Sequence, residues 1–169
     1  YITLEVTNKI LSQDQIDNIV KRIAYQIHER NNNESHIFLI GVHKNGYTLA
    51  KLINRELKLI SKSTIKLCSI KINKKDPFEK IESDFDLLKL KNKSVVLIDD
   101  VLNSGKTLIY ATKFILDIPL SNFKTAVLID RNHKKFPIKI DFKGISLSTS
   151  IEENVNVIFK KNKCYAIID

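Results

Sequence analysis

The first part of the chain alternates between helical spacing of apolar residues and unbroken apolar runs. Ser12 and Gln15 form the pattern of a capping box, and apolar residues then recur every three or four positions. This pattern predicts a helix over residues 13–30. The apolar run at 36–40 predicts the first buried strand, and residues 47–57 return to helical spacing.

Most of the other predicted elements are strands. Its centre is an unbroken apolar run at 95–98, as in a strand that is covered on both faces in a parallel sheet. A helix is predicted at about 104–116, whereas residues 136–142 and 144–148 are short and irregular. The other predicted strands are an edge strand at 4–6, a partly alternating strand at 65–72, a buried strand at 124–129, and a terminal hairpin of 155–159 and 164–168.

These elements predict an α/β fold. Three units of apolar strand, turn and helix favour a parallel sheet with helices on both faces and a central strand at 94–99. With 169 residues and no repeat or linker, the chain is predicted to form a single domain, residues 1–169, with room for a substantial core.

Composition and charge limit the partners and the cellular compartment that the sequence predicts. The formal net charge is +9, which suits an anionic substrate, an RNA partner or solubility alone. No apolar run approaches a membrane span and no signal peptide is visible, so we expect a cytoplasmic protein without a membrane partner. Cys68 and Cys164 lack the spacing of a metal site and are expected to be buried thiols. Residues 73–86 are charged and lack a core period, which is typical of a mobile loop.

Candidate chemistry is concentrated after the central strand. Asp99 and Asp100 follow it directly, and the turn closes with Ser-Gly-Lys-Thr at 104–107. Backbone N–H groups and hydroxyls near a helix N-terminus can hold a phosphate, and Gly105 lets the anion approach the backbone closely. The carboxylates can bind a diol or hydrated Mg²⁺ at the carboxyl end of the strand. A phosphate site beside a diol site suits a ribose 5-phosphate.

Two other interpretations of this turn are weaker. Ser-Gly-Lys-Thr also ends a nucleotide-binding P-loop, but that motif requires a glycine where this chain has Asp100. An ordinary turn with a capping serine explains the small residues. It does not explain two carboxylates at the end of a buried strand, where charge is costly.

A second glycine-bounded turn, from Gly41 to Gly46, follows the first buried strand. Tyr47 and Thr48 stand where a P-loop requires Lys and Ser or Thr, so that motif is excluded here too. Backbone N–H groups in such a turn can bind an anion. A plain turn between a strand and a helix would show the same pattern, and this alternative stays open.

Residues 95–107 resemble the diphosphosugar-binding motif of type I phosphoribosyltransferases: four apolar residues, an acidic pair, three variable residues, then Thr/Ser-Gly-x-Thr/Ser. The resemblance implies their parallel sheet flanked by helices, a small hood formed by terminal segments, and Mg²⁺ as cofactor for phosphoribosyl diphosphate. It also implies that the charged segment 73–86 closes over the reaction centre. The resemblance implies that Asp99 and Asp100 bind the ribose hydroxyls and the metal, and that these two act in catalysis with Asn103. It implies a 5′-phosphate site formed by Asn103, Ser104, Gly105, Lys106 and Thr107. It implies a pyrophosphate site formed by Gly41, Val42, His43, Lys44, Asn45 and Gly46.

A broader likeness is to the pyrimidine-operon attenuation regulators, which are uracil phosphoribosyltransferases that also bind mRNA. It rests on the segments at 99–107, 127–133 and 137–144 and extends over nearly the whole chain. It implies uracil as the nucleobase and a homodimer. The implied base site is formed by Arg131, His133, Phe142 and Ile145, with a purely structural His133 as an equal alternative.

Two residues depart from the pattern of these regulators. Asn45 replaces their Arg in the Gly41 turn, so Lys44 or His43 is expected to supply the positive charge there. Asn103 replaces their Tyr. Purine-salvage relatives carry Asp at the position of Asn103, as a base near the purine ring, and its absence disfavours a hypoxanthine or guanine substrate.

The same motif would occur in an RNA-binding regulator that only senses nucleotides at the sugar site. It would also occur in a degenerate member with neither activity. Lysines cluster at 134–143 and at 160–163, but few aromatic residues lie near them for stacking on RNA bases. We therefore expect weak, sequence-independent and salt-sensitive RNA binding, with the enzyme as the favoured function.

Overall fold

The polypeptide folds into a six-stranded sheet with helices on both faces and a separate three-stranded sheet. The computed structural model describes residues 8–73, 75–161 and 163–169, so the edge strand predicted at 4–6 lies outside the described residues. The strands are β1 Lys9–Leu11, β2 His36–Val42, β3 Thr64–Lys71, β4 Glu82–Ser83, β5 Ser94–Leu102, β6 Asn122–Asp130, β7 Phe142–Ser146, β8 Val155–Lys160 and β9 Lys163–Ile168. The helices are α1 Gln13–Arg30, α2 Asn45–Ile60, α3 Lys106–Ile115 and a 3₁₀ helix at Leu87–Leu90.

The large sheet has the order β4-β3-β2-β5-β6-β7, and all its pairings are parallel except that of β4. Every residue of β5 is buried, as its continuous apolar run predicts for a strand between two neighbours and under helices on both faces. The prediction of a central strand at 94–99 is confirmed. The alternating pattern of β3 also fits, because only the two residues of β4 lie beyond it.

The connections diverge between β2 and β5. After β2 the chain passes through α2 to β3 on one side, and after β5 it passes through α3 to β6 on the other. The helices α1 and α2 cover one face of the sheet, and α3 covers the opposite face. This divergence opens a crevice at the carboxyl ends of β2 and β5, where open α/β sheets bind their ligands.

The helix α1 begins at the predicted capping box. Ser12 donates its N–H to Oε1 of Gln15 at 2.8 Å, and the Ser12 hydroxyl accepts the Gln15 N–H at 3.3 Å. The apolar stripe of α1 is fully buried against the sheet and α2. Among the helices that the structure describes, none combines the length and the apolar composition that a membrane span requires.

The three-stranded sheet of β1, β9 and β8 forms the hood. The predicted terminal hairpin is confirmed as the antiparallel pair of β8 and β9. Its inner face buries Val155, Val157 and Ala166 in the same core as α1 and α2. The hood is therefore packed onto the domain beside the carboxyl end of β5.

Two segments differ from the predictions. The first is β7, which follows β6 after an irregular segment. β7 itself forms where the pattern is irregular, because Gly144 lets it lie against β6: a Cβ there would be 2.3 Å from the Leu128 carbonyl oxygen. In the charged segment, Asp84 accepts hydrogen bonds from the N–H and the hydroxyl of Ser69, at 2.8 and 2.9 Å. These bonds fix its second half beside β3.

Candidate active site

The acidic pair, Asp99 and Asp100, lies near the carboxyl end of β5 and is 3% and 8% exposed. Charge this deeply buried requires hydrogen-bonding partners. The Asp100 N–H donates to Oδ1 of Asp99 at 2.9 Å, and the Asn45 side-chain amide donates to Oδ2 of Asp100 at 2.9 Å. Gly46 is in direct contact with the pair, since a Cβ there would lie 3.0 Å from Oδ1 of Asp99.

The β5 turn, residues 103–107, forms a small cradle beside the acidic pair. Together with Asp99 it lines a cavity of about 60 Å³. Gly105 has a φ of 83°, and a Cβ there would lie 2.8 Å from a methyl carbon of Ile138. A glycine is therefore required both by the backbone conformation and by the neighbouring side chain.

The N-terminus of α3 opens into this cradle. The first N–H groups of a helix have no partner inside the helix, and Gly105 has no side chain that could cap them. Only the Lys106 N–H reaches the Ser104 hydroxyl, at 3.3 Å. The Ser104 carbonyl accepts the N–H groups of Lys135 and Phe136, which hold the turn from behind. An uncapped helix start at a small polar cavity suits a phosphate group.

The glycine turn, residues 41–46, faces the acidic pair from β2. Gly41 allows its tight closure, because a Cβ there would lie 2.4 Å from the Cα of Tyr47. The peptide bond between His43 and Lys44 is cis, and the His43 N–H donates to the carbonyl of Ile70 at 2.8 Å. The side chains of His43 and Lys44 are exposed.

Arg131 and His133 do not form an open wall for a base. Arg131 is 8% exposed, and its guanidinium donates to Oδ1 of Asn103 at 2.8 Å and to the Thr149 hydroxyl at 3.0 Å. Its remaining bonds reach the carbonyls of residues 150 and 153. His133 contacts the Thr149 carbonyl through Nε2. These side chains fix the segment at 149–153 against the β5 turn.

Phe142 and Ile145 occupy different parts of β7. Phe142 starts the strand beside Ala126 and is buried in the core under α1, which corrects the expectation that it lines the base site. Ile145 lies beside Ile129, nearer the carboxyl end of the sheet, and packs against the same core.

The structure thus brings together the acidic pair, the β5 turn and the glycine turn. Within the glycine turn, Val42 contributes only its backbone, since its side chain is buried in the core on the α3 face. Sequence reasoning missed Thr149 and Val157, which bond to Arg131 and Asn45. No local pattern marks either residue, because each contact depends on the path of the distant chain.

The acidic pair also fits a magnesium ion. Within the described ranges there is no cluster of three or more His, Cys, Asp or Glu side chains that could enclose a metal. Mg²⁺ typically takes one or two protein carboxylates and completes its shell with water and substrate oxygens. Two adjacent carboxylates at an open crevice are such a donor set.

Comparison with known proteins identifies the family of the chain. Residues 7–159 match the model of the phosphoribosyl transferase domain. The chain belongs to this family. It is 36% identical to the bifunctional protein PyrR of Pediococcus pentosaceus, over 83% of this chain and 85% of that protein. It is 34% identical to the bifunctional protein PyrR of Fusobacterium nucleatum, over 94% of both chains.

Solved structures of this family share the fold. A hypoxanthine-guanine phosphoribosyltransferase from Bacillus anthracis superposes with a TM-score of 0.76 at 19% identity, covering 95% of this chain and 96% of that one. The hypoxanthine phosphoribosyltransferase of Trypanosoma cruzi gives 0.74 at 15% identity, covering 94% and 95%. The protein is a phosphoribosyltransferase with the mixed α/β architecture that its sequence predicts.

Proposed function

We propose that the protein transfers the ribose 5-phosphate group of phosphoribosyl diphosphate to uracil and releases pyrophosphate. One observation carries this proposal. The acidic pair, the uncapped start of α3 and the glycine turn meet in one crevice at the point where the sheet connections diverge. This arrangement offers a diol site between two anion sites, as phosphoribosyl diphosphate requires.

Each part of the crevice has a role in this reaction. The acidic pair accepts hydrogen bonds from the ribose hydroxyls, and the β5 turn with the start of α3 binds the 5′-phosphate. The glycine turn holds the pyrophosphate through its backbone, with positive charge from His43 and Lys44 in place of the arginine of related regulators. Asp99 and Asp100 would also hold Mg²⁺, which when bound neutralises charge on the leaving pyrophosphate.

The chemistry is a displacement at the anomeric carbon. A nucleobase nitrogen forms the new bond to this carbon while the bond to pyrophosphate breaks, and positive charge develops on the sugar. The protein contributes mainly by aligning the two reactants and by placing the carboxylates near the developing charge. The choice of uracil rests on the likeness to the pyrimidine regulators and on Asn103, where purine-salvage relatives carry Asp.

A panel of nucleobases tests the proposal. With Mg²⁺ and phosphoribosyl diphosphate, we expect UMP to form from uracil at least about tenfold faster than nucleotides form from hypoxanthine or guanine, a difference of roughly 1.4 kcal/mol. Faster turnover of a purine would overturn the choice of base. Failure of every base, with intact binding of phosphoribosyl diphosphate, would favour a sensor over an enzyme.

Weak RNA binding is a second proposed property. Lysines 134, 135, 139, 143, 160, 161 and 163 are exposed and belong to a chain of net charge +9. Lys143 lies 3.4 Å from Asp130 and Lys139 lies 3.4 Å from Asp141, so part of this charge is already paired. We expect filter binding of a hairpin and its scrambled control to differ less than about tenfold and to fade with salt. Stronger discrimination would favour an RNA-binding regulator as the function. The likeness to the pyrimidine regulators also supports a homodimer, which sedimentation equilibrium would detect.

A further inference from the structure

The side-chain amide of Asn45 is fully committed as a hydrogen-bond donor. Its Nδ2 donates to Oδ2 of Asp100 at 2.9 Å and to the carbonyl oxygen of Val157 at 2.9 Å. A carboxamide has two N–H protons, and its oxygen is only an acceptor. The Asn45 side chain therefore has no donor left for an anion, and its oxygen, an acceptor, would repel one.

We propose that Asn45 is a positioning residue that ties the hood to the acidic pair, and that its side chain does not bind pyrophosphate. The part of this inference that concerns pyrophosphate and ligand binding rests on the proposed function. The tie itself rests only on the two hydrogen bonds and on the elements that they connect.

Three elements meet at this amide. Asn45 is the first residue of α2, Asp100 belongs to β5, and Val157 lies in β8 of the hood. Gly46 extends the contact, since a Cβ there would lie 2.9 Å from the Cα of Asp99. The Val157 side chain is itself buried, so the hood cannot move away from Asn45 without exposing apolar surface.

The choice of an amide has an electrostatic consequence. A neutral donor fixes the direction of the Asp100 carboxylate without cancelling its charge. An arginine at position 45, as in the related regulators, would place a full positive charge beside the same carboxylate. Asn45 thus orients Asp100 by a hydrogen bond without placing a positive charge beside it.

One amide that holds both Asp100 and β8 couples two events. Ligand binding at the acidic pair favours the carboxylate orientation that Asn45 selects, and the same Asn45 conformation holds the hood strand. By linkage, binding of phosphoribosyl diphosphate should stabilise β8, and loosening of β8 should weaken binding.

Asn45→Ala tests the tie, with Asn156→Ala as a matched control. Asn156 lies on the exposed face of the same strand as Val157 and donates to Oδ1 of Asp169 at 2.8 Å, so its loss removes a hood hydrogen bond that involves neither Asn45 nor Asp100. Hydrogen exchange of residues 155–160 and calorimetric titration with Mg²⁺ and phosphoribosyl diphosphate are the two measurements.

We expect Asn45→Ala to weaken binding about tenfold, as expected when a charged group loses a hydrogen bond. We also expect faster exchange at 155–160, with no slowing on saturation by the ligand. Asn156→Ala should bind normally and keep the ligand-induced slowing. Asn45→Asp retains the side-chain shape but removes both donors. It should lose more affinity and serves as the second test if the alanine variant does not fold.

Two results would overturn the tie. One is unchanged exchange and affinity in both Asn45 variants. The other is lost affinity in Asn45→Ala while residues 155–160 still respond to the ligand, which would make Asn45 a direct pyrophosphate contact. If the unchanged protein does not bind phosphoribosyl diphosphate, the proposed function fails, and exchange alone decides the tie: faster exchange only in the Asn45 variants supports it, and equal exchange refutes it.

Discussion

At the residue scale, Gly46 lets the glycine turn lie directly on the acidic pair. A Cβ at this position would come within 2.7 Å of the Ile98 carbonyl oxygen and 2.9 Å of the Asp99 Cα. Both atoms belong to the backbone of β5, so a side chain cannot be accommodated by a change of rotamer.

Gly46→Ala should therefore displace the glycine turn. We expect a destabilisation of about 1–3 kcal/mol, typical of overpacking, and a clear loss of affinity for phosphoribosyl diphosphate. Lys58→Ala, at an exposed position in the last turn of the same helix, is the control and should change neither property. Denaturant unfolding and calorimetry measure the two effects, and normal binding by Gly46→Ala would contradict this packing argument.

The environment of Cys68 lowers the reactivity of its thiol. Burial, and secondarily the nearby Asp84 carboxylate, raises the pKa of the Cys68 thiol from 9.0 to about 11. The folded-state pKa lies above the unfolded one, so the stabilising contribution is present below pH 9 and is lost as the pH rises through about 11.

Two measurements check the state of Cys68. Iodoacetamide at pH 8 should modify it far more slowly in the native protein than after unfolding, since the thiolate is the reactive form. The difference in unfolding free energy between the unchanged protein and Cys68→Ala should shrink from pH 8 to pH 11. Rapid native modification, or a difference that grows with pH, would contradict the raised pKa.

At the element scale, the charged segment divides into two parts with different constraints. Residues 82–86 are fixed by the pairing of β4 with β3 and by Asp84. The part before them is held by exposed side-chain hydrogen bonds, such as that from Asn73 to Glu79 at 2.7 Å, and by the edge-to-face contact of Phe78 with Tyr110. Exposed contacts of this kind open easily.

We therefore expect hydrogen exchange in the part at 75–81 to be fast without ligand and slower with Mg²⁺ and phosphoribosyl diphosphate, as this loop closes over the site. Residues 82–90 are the internal control and should be protected in both states. Equal exchange at 75–81 with and without ligand would count against the loop as a lid.

The elements also show which features a sequence can reveal. The start of α1 is predictable because a capping box is complete within four positions, and β5 is predictable because burial on both faces leaves a continuous apolar run. β7 is not, since its position depends on contact between Gly144 and β6 rather than on a pattern of its own.

The same division applies to the site. The acidic pair and the β5 turn form one short motif, so their chemistry can be predicted from residues that are neighbours in the sequence. Asn45 and Val157 are 112 positions apart, and no local signal joins them. The likeness to the pyrimidine-operon regulators predicts Phe142 near the base, but its place at the start of β7 puts it in the core.

At the scale of the whole molecule, the site exists because the connections diverge between β2 and β5. This topology opens the crevice, the buried β5 carries two carboxylates to its edge, and the hood closes one side through Asn45. We propose that this crevice binds phosphoribosyl diphosphate through the acidic pair.

Calorimetric titration with phosphoribosyl diphosphate and Mg²⁺ tests that claim most directly, comparing the unchanged protein with the double variant Asp99→Asn, Asp100→Asn. The amides keep the side-chain shape but remove both charges, so we expect a folded variant whose affinity falls at least about a hundredfold, roughly 3 kcal/mol for two lost charged hydrogen-bonding groups. Equal affinity in a folded double variant would contradict the role of the acidic pair in binding.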